Sequence, residues 1–200
     1  MIVAIILAAG ESRRMGVPKP LLAFDGKTFL EHIVSVLETT RVGHIKVVLG
    51  HEAERVLRQT DLGTADVVLN YGYQNGQLSS LIEGIRSLGD DLSQVDAILV
   101  CLVDHPLISA ALVDAMIDHF YRTGKPVVIP KCQGRRGHPV LFAKPLFAEL
   151  LRAPLNAGAK AVVQNHASDL LEIETDDAGI LFDVDTPELY EALRKLKADR

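Results

Sequence analysis

The chain is 200 residues long, 48% apolar and 24% charged, with a net charge of −5. That length suits a single domain over residues 1–200 with a substantial core. The acidic balance argues against a general basic field for nucleic acid or anionic lipid, so any attraction for phosphate has to come from local clusters.

The opening run, residues 2–9, is apolar, has no positively charged leader and is too short to span a bilayer. It reads as a buried first strand. Phe29, Leu30, Ile33, Val34 and Leu37 then recur at helical spacing and predict a helix over 29–37. Strand-like runs follow at 45–49, 67–69, 97–103, 127–129, 140–142, 170–173 and 180–183. Helix-like segments lie between them at 52–58, 78–88, 110–121, 145–151 and 159–166. Ser109 is a natural N-cap for the helix at 110. A closing helix over 186–196 has Thr186 as N-cap and Pro187 at its first helical position.

The unbroken apolar run 97–103 implies cover on both faces of its strand. Cys101 within it reads as a buried free thiol, and with Cys132 it forms no metal-type spacing. Two thiols in a chain of this size suit a reducing cytosol, and a cytoplasmic location is expected. The alternation of strands and helices predicts a three-layer α/β fold around a mostly parallel sheet. Residues 131–177 break the alternation and are expected to build one side of a site.

The densest chemistry follows the first strand, in Leu7-Ala8-Ala9-Gly10-Glu11-Ser12-Arg13-Arg14-Met15-Gly16-Val17-Pro18-Lys19. In open α/β sheets, ligands bind beyond the carboxyl ends of strands. Small residues let backbone N–H groups approach a ligand, and Arg14 and Lys19 add positive charge suited to phosphate oxygens. The spacing is neither a Walker A loop nor a dinucleotide fingerprint. A tight turn with solvated arginines is the plain alternative; glycines, an arginine and a proline-flanked lysine directly after the first strand favour a ligand loop.

This loop resembles the opening of the MobA-like NTP transferase family, most closely its molybdenum cofactor cytidylyltransferase branch, and the resemblance runs over nearly the whole chain. It implies a Rossmann-like nucleotidyltransferase fold. It also implies that Leu7, Ala8, Ala9, Gly10, Arg14 and Lys19 wrap a triphosphate, with Arg14, Lys19 and Asp104 as the catalytic set. Ala9 points to the cytidylyl branch, hence to CTP.

Further segments fit the same resemblance. Asn70 to Leu81 holds Gly76, Ser79 and Ser80 at a helix start, where free N–H groups and a positive dipole end lie; ordinary turn and capping chemistry is the alternative. Asp104 ends the most apolar strand, where a carboxylate is costly unless solvated, paired or bound to metal. The resemblance makes it the magnesium site. His105 beside it reads as an acceptor-side residue, since magnesium disfavours imidazole. Arg136 and His138, in a Gly-His-Pro segment, are expected on the acceptor side, with Lys131 and Arg135 near an acceptor phosphate. Leu155-Asn156 stands where the family carries Gly-Asp, and Lys160 where it carries an arginine. Asp185, in Asp183-Val184-Asp185-Thr186-Pro187, either joins Asp104 at the metal or caps the last helix.

The resemblance therefore implies Mg-dependent nucleotidyl transfer from an NTP, CTP favoured, to a phosphorylated acceptor such as molybdopterin, with a transient contact to a molybdoenzyme. No nucleic acid and no membrane are expected as partners. Guanylyl transfer in the same pathway, a sugar- or polyol-phosphate nucleotidyltransferase and a non-catalytic pterin chaperone are the alternatives.

Overall fold

The computed structural model describes residues 1–198. In chain order its elements are β1 (Ile2–Ala8), β2 (Ala23–Phe24), β3 (Lys27–Thr28), α1 (Phe29–Leu37), β4 (His44–Leu49), α2 (Ala53–Gln59), β5 (Asp66–Leu69), α3 (Gln77–Arg86), β6 (Ala97–Leu102), α4 (Ala110–Thr123), β7 (Val127–Cys132), β8 (Arg135–Arg136), β9 (Val140–Ala143), α5 (Phe147–Leu150), α6 (Ala159–Asn165), β10 (Leu171–Glu174) and α7 (Pro187–Ala198). The main sheet runs β10-β7-β9-β6-β1-β4-β5, with β8 paired to β7. Strand β9 lies antiparallel to β6 and β7, β8 is antiparallel to β7, and the other pairings in this sheet are parallel.

Strand β1 sits mid-sheet because every one of its residues is apolar and buried. Its alternation divides the core. Ile2, Ala4, Ile6 and Ala8 pack with α1 and α4 on one face, while Val3, Ile5 and Leu7 pack with α3, α5 and α6 on the other. Each face of the sheet is thus roofed by helices, the layer arrangement that an alternating chain favours. Helix α1 begins where Thr28-x-x-Glu31 forms a capping box: Thr28 Oγ1 accepts from the Glu31 amide at 3.2 Å, and Glu31 Oε2 accepts from the Thr28 amide at 2.7 Å. Ser109 caps α4 through the Leu112 amide, and Cys101 is a buried free thiol whose pKa burial pushes up.

Two expectations need correction. Residues 180–183 form no strand: Ala178–Leu181 is a 3₁₀ turn, and this stretch is tied to its neighbours by single bonds, His138 N–H to the Ile180 carbonyl at 3.0 Å and Val184 N–H to the Asp104 carbonyl at 2.9 Å. Ile180 and Val184 are apolar because they are buried, at 2% and 0% exposed, not because they pair in a ladder. The helix expected over 145–151 is a 3₁₀ turn, Lys144–Leu146, followed by the short α5.

Parallel register places the functional segments at one edge. Leu7 pairs with both Val48 and Leu102, so β1, β4 and β6 release their chains side by side. The Val103 amide still donates to the Leu7 carbonyl, and the His51 amide to that of Ala9.

Candidate active site

A cleft of about 710 Å³ opens at this carboxyl edge. Leu7, Ala8, Ala9, Gly10 and Arg14 line it, as do Lys19, Gly76, Ser80, Asp104 and Asp185. The loop after β1 is shaped by Ser12, at φ +52°, whose hydroxyl accepts the Lys19 amide at 2.9 Å. That bond turns the lysine inward, where it is 8% exposed.

The Lys19 ammonium stands between two carboxylates. Its Nζ lies 2.9 Å from Asp104 Oδ2 and contacts Asp185 Oδ1, while Arg14 contacts Asp185 Oδ2. Burial alone would lower the lysine's pKa, but Asp104 and Asp185 outweigh it and hold it above its ordinary value. Hydrogen bonding from Lys19, helped by Arg14, holds Asp185 below the usual carboxylate range. Both Asp185 oxygens therefore face cations across the cleft. At the start of α7 Thr186 Oγ1 accepts the Leu189 amide at 3.4 Å, while the oxygens of Asp185 face Lys19 and Arg14.

Asp183 completes a carboxylate cluster. Its pKa is raised, chiefly by burial and also by Asp104 and Asp185, and its buried Oδ1 accepts no hydrogen bond. One ligand atom each from Asp104, His105 and Asp183 lie within 4.8 Å of one another. An unsatisfied buried carboxylate oxygen beside a second carboxylate suits a divalent cation.

The start of α3 carries the opposite wall. Gly76 has φ +95° and ψ 175°, a region closed to side chains, and there the chain turns from a 3₁₀ turn into α3. Asn70, 3% exposed, braces this turn by donating to Ser79 Oγ at 2.9 Å and Ser80 Oγ at 3.0 Å. Ser80 lines the cleft. Ser79 does not: its hydroxyl donates to the Gly76 carbonyl at 2.7 Å and faces a separate hollow with Asn70, Tyr71 and Arg86.

A second cavity, about 500 Å³, shares Leu7 and Gln77 with the cleft and opens on the other side of them. Leu78, Leu81, Val100, Ile129 and Phe142 make its wall, and Arg136, His138 and Lys160 lie on its lining. Arg136 is already paired, 2.7 Å from Glu172, and Lys131 is held by Glu172 and Glu174. His105 lines neither large space; it meets His138, which does line the second cavity, at 4.9 Å between ring centroids beside a small internal pocket. Burial lowers the pKa of both rings, that of His138 to about 4. Tyr73, Gln74 and Gln77 line the cleft although no motif drew attention to them; their signal is position alone, flanking Gly76 at a helix start.

The fold and the family match together place the protein among the nucleotidyltransferases. The Rv0371c structure from Mycobacterium tuberculosis H37Rv shares the fold with a TM-score of 0.84, at 27% identity over 97% of each chain. The model of the MobA-like NTP transferase domain matches residues 4–170, and the chain belongs to that family.

Curated relatives carry several activities. A probable molybdenum cofactor guanylyltransferase of Bacillus cereus is 30% identical over 70% of this chain and 66% of its own length. Nicotine blue oxidoreductase of Paenarthrobacter nicotinovorans is 28% identical over 94% of this chain and 93% of its own. Bifunctional protein GlmU of Lactococcus lactis is 28% identical over 98% of this chain, which spans only 41% of that protein. Rv0371c has also been solved in complex with manganese, at 25% identity to this chain and a TM-score of 0.79. No helix among the described residues is long and apolar enough to cross a membrane.

Proposed function

We propose that the protein transfers a nucleotidyl group from a nucleoside triphosphate, CTP by preference, to a phosphorylated acceptor of the molybdopterin class. The observation that carries this reading is the placement of Arg14 and Lys19 at the end of the cleft where Asp104 and Asp185 converge, beside the small-residue loop after β1. Triphosphate fits the cationic end, and the base fits the end lined by Tyr73, Gln74 and Gln77.

The acceptor lies in the apolar second cavity, separated from the triphosphate only by Leu7 and Gln77. Its phosphate oxygen attacks the α-phosphorus, the bond from that phosphorus to the β-bridging oxygen breaks, and pyrophosphate leaves. The acceptor phosphate is already anionic, so no side chain need act as a base. Positioning and charge stabilisation supply the rate: Lys19 opposes charge developing between the α- and β-phosphates, and the loop amides orient the chain of phosphates. Asp104, with Asp185, would hold the magnesium ion, which supplies further charge neutralisation on the phosphates. The manganese complex of Rv0371c supports divalent metal use by this fold.

Preference for CTP rests on Ala9. Its methyl adjoins Gly50 and Tyr73, where the wall is already tight: a Cβ at Gly50 would lie 2.9 Å from that of Ala9 and 2.7 Å from that of Tyr73. A pyrimidine suits this end better than a purine. Pyrophosphate release measured with CTP, GTP, ATP and UTP, with magnesium and a pterin phosphate acceptor, tests the reading. Release from CTP supports it; release only with GTP moves the assignment to guanylyl transfer. A redox reaction is the second reading, favoured by the match to nicotine blue oxidoreductase over nearly its whole length. Reductase turnover with no pyrophosphate from any triphosphate would replace the proposal.

A further inference from the structure

The cleft has more carboxylates than its bound ammonium can serve. Lys19 takes one oxygen of Asp104 and one of Asp185, and Arg14 takes the other oxygen of Asp185. Asp183 remains. Its Oδ1 is buried and accepts no hydrogen bond, and the carboxylates of Asp104 and Asp185 both repel it. A buried carboxylate oxygen with no hydrogen bond is open to a cation.

A ring nitrogen lies in the same cluster. His105 Nδ1 is buried and without a hydrogen-bond partner, and the ring lies beside the Ile180 carbonyl. Metal-binding histidines commonly donate one ring N–H to a backbone carbonyl, which fixes the ring and leaves the other nitrogen's lone pair for the ion.

We propose that Asp104, His105 and Asp183 form a site for a divalent first-row transition ion, filled without nucleotide and distinct from the Asp104–Asp185 arrangement of the transfer reaction. The ligand atoms lie within 4.8 Å of one another. Two ligands across one such ion span roughly 4.3 Å at most, so closure needs a shift of no more than about 0.5 Å, within the reach of side-chain torsions. One imidazole nitrogen with two carboxylate oxygens suits manganese, iron or zinc, whereas magnesium prefers an all-oxygen shell and keeps its waters. The chain supplies the three donors from two places: Asp104 and His105 follow β6, and Asp183 lies on the segment tied to Asp104 by the Val184 amide. The site shares Asp104 with the proposed transfer centre, yet it requires neither triphosphate nor acceptor.

Titration of the nucleotide-free full chain with Mn²⁺ alone, followed by electron paramagnetic resonance, tests this. The expected result is one bound Mn²⁺ that excess Mg²⁺ displaces poorly, with nitrogen modulation from a coordinated imidazole in the pulsed spectrum. His105→Gln should remove the nitrogen signature. Asp183→Asn, which keeps shape and removes charge, should weaken binding by about tenfold or more. Asp185→Asn should keep the nitrogen signature. Circular dichroism melts of each variant confirm that it is folded. No Mn²⁺ bound without nucleotide, or bound Mn²⁺ lacking nitrogen modulation, would overturn the proposal. Failure of pyrophosphate release alongside a nitrogen-coordinated Mn²⁺ would instead refute nucleotidyl transfer and leave this site standing.

Discussion

Lys19→Met keeps most of the buried stem and removes the charge that joins Asp104 to Asp185. Breaking a fully buried pair by deleting one partner costs about 3–5 kcal/mol. Here the lysine side chain is 10% exposed but its partners are 23% and 27% exposed, so solvent relieves part of the repulsion that remains. The expected loss at pH 7 is about 2 kcal/mol, or a fall in Tm of about 4–8 °C for a domain of this size. The pH dependence has a definite sign. Lys19 is held above its ordinary pKa, so its contribution is present below the unfolded value near 10.4 and is lost as pH rises through the raised folded value. Asp185 is held below its ordinary pKa, so its contribution is present above the unfolded value near 3.9 and is lost as pH falls through the lowered one.

The stability gap between wild type and variant should therefore be flat across the neutral range and narrow in acid, where the carboxylates take up protons. Urea unfolding at a series of pH values measures the gap directly. In the same variant kcat should fall by about 10²-fold or more with KM little changed, because the charge acts on the transition state. A gap that persists undiminished in acid, or an unchanged kcat with a raised KM, would refute this account of the lysine.

Three further outcomes are expected. Ala9→Gly should shift preference towards GTP, read by competition binding, and an unchanged ratio would remove Ala9 from base selection. Asp185→Asn should fold, yet lose turnover and bind magnesium more weakly with nucleotide present, seen in a magnesium titration of the initial rate. Gly84→Ala should destabilise by about 1–3 kcal/mol in urea, because its Cβ would come within 2.7 Å of Ile5 Cγ2 where α3 lies on β1; a wild-type midpoint would show that the helix shifts freely.

Much of the frame was legible because the relevant signals are local. An all-apolar run such as β1 can only be a central strand, and Phe29 to Leu37 carries its helix in its own spacing. Residues 180–183 misled because burial and strand pairing select the same apolar residues. On the site side, the loop after β1 was legible through its small residues and its cations. The fates of Lys131 and Arg136 were not, since the carboxylates that claim them, Glu172 and Glu174, arrive on β10 only after β10 pairs with β7. Asp183 was hidden for a related reason. Beside Asp185 in sequence it looks like a duplicate, and only the fold shows that one is fully paired while the other is not.

The bonds from Arg14 and Lys19 to Asp185 span 171 and 166 residues of chain. A ribosome adding about 5–20 residues per second needs on the order of 10–30 s to travel from the lysine to the aspartate that receives it. Over that interval the emerging sheet can assemble β1 with β4 and β6, but the loop beyond β1 holds its positive charges without their later partner. Until Asp185 emerges, Lys19 has Asp104 but not its second carboxylate and Arg14 lacks its partner, so a free phosphate compound would meet less competition for these cations than it does in the finished protein.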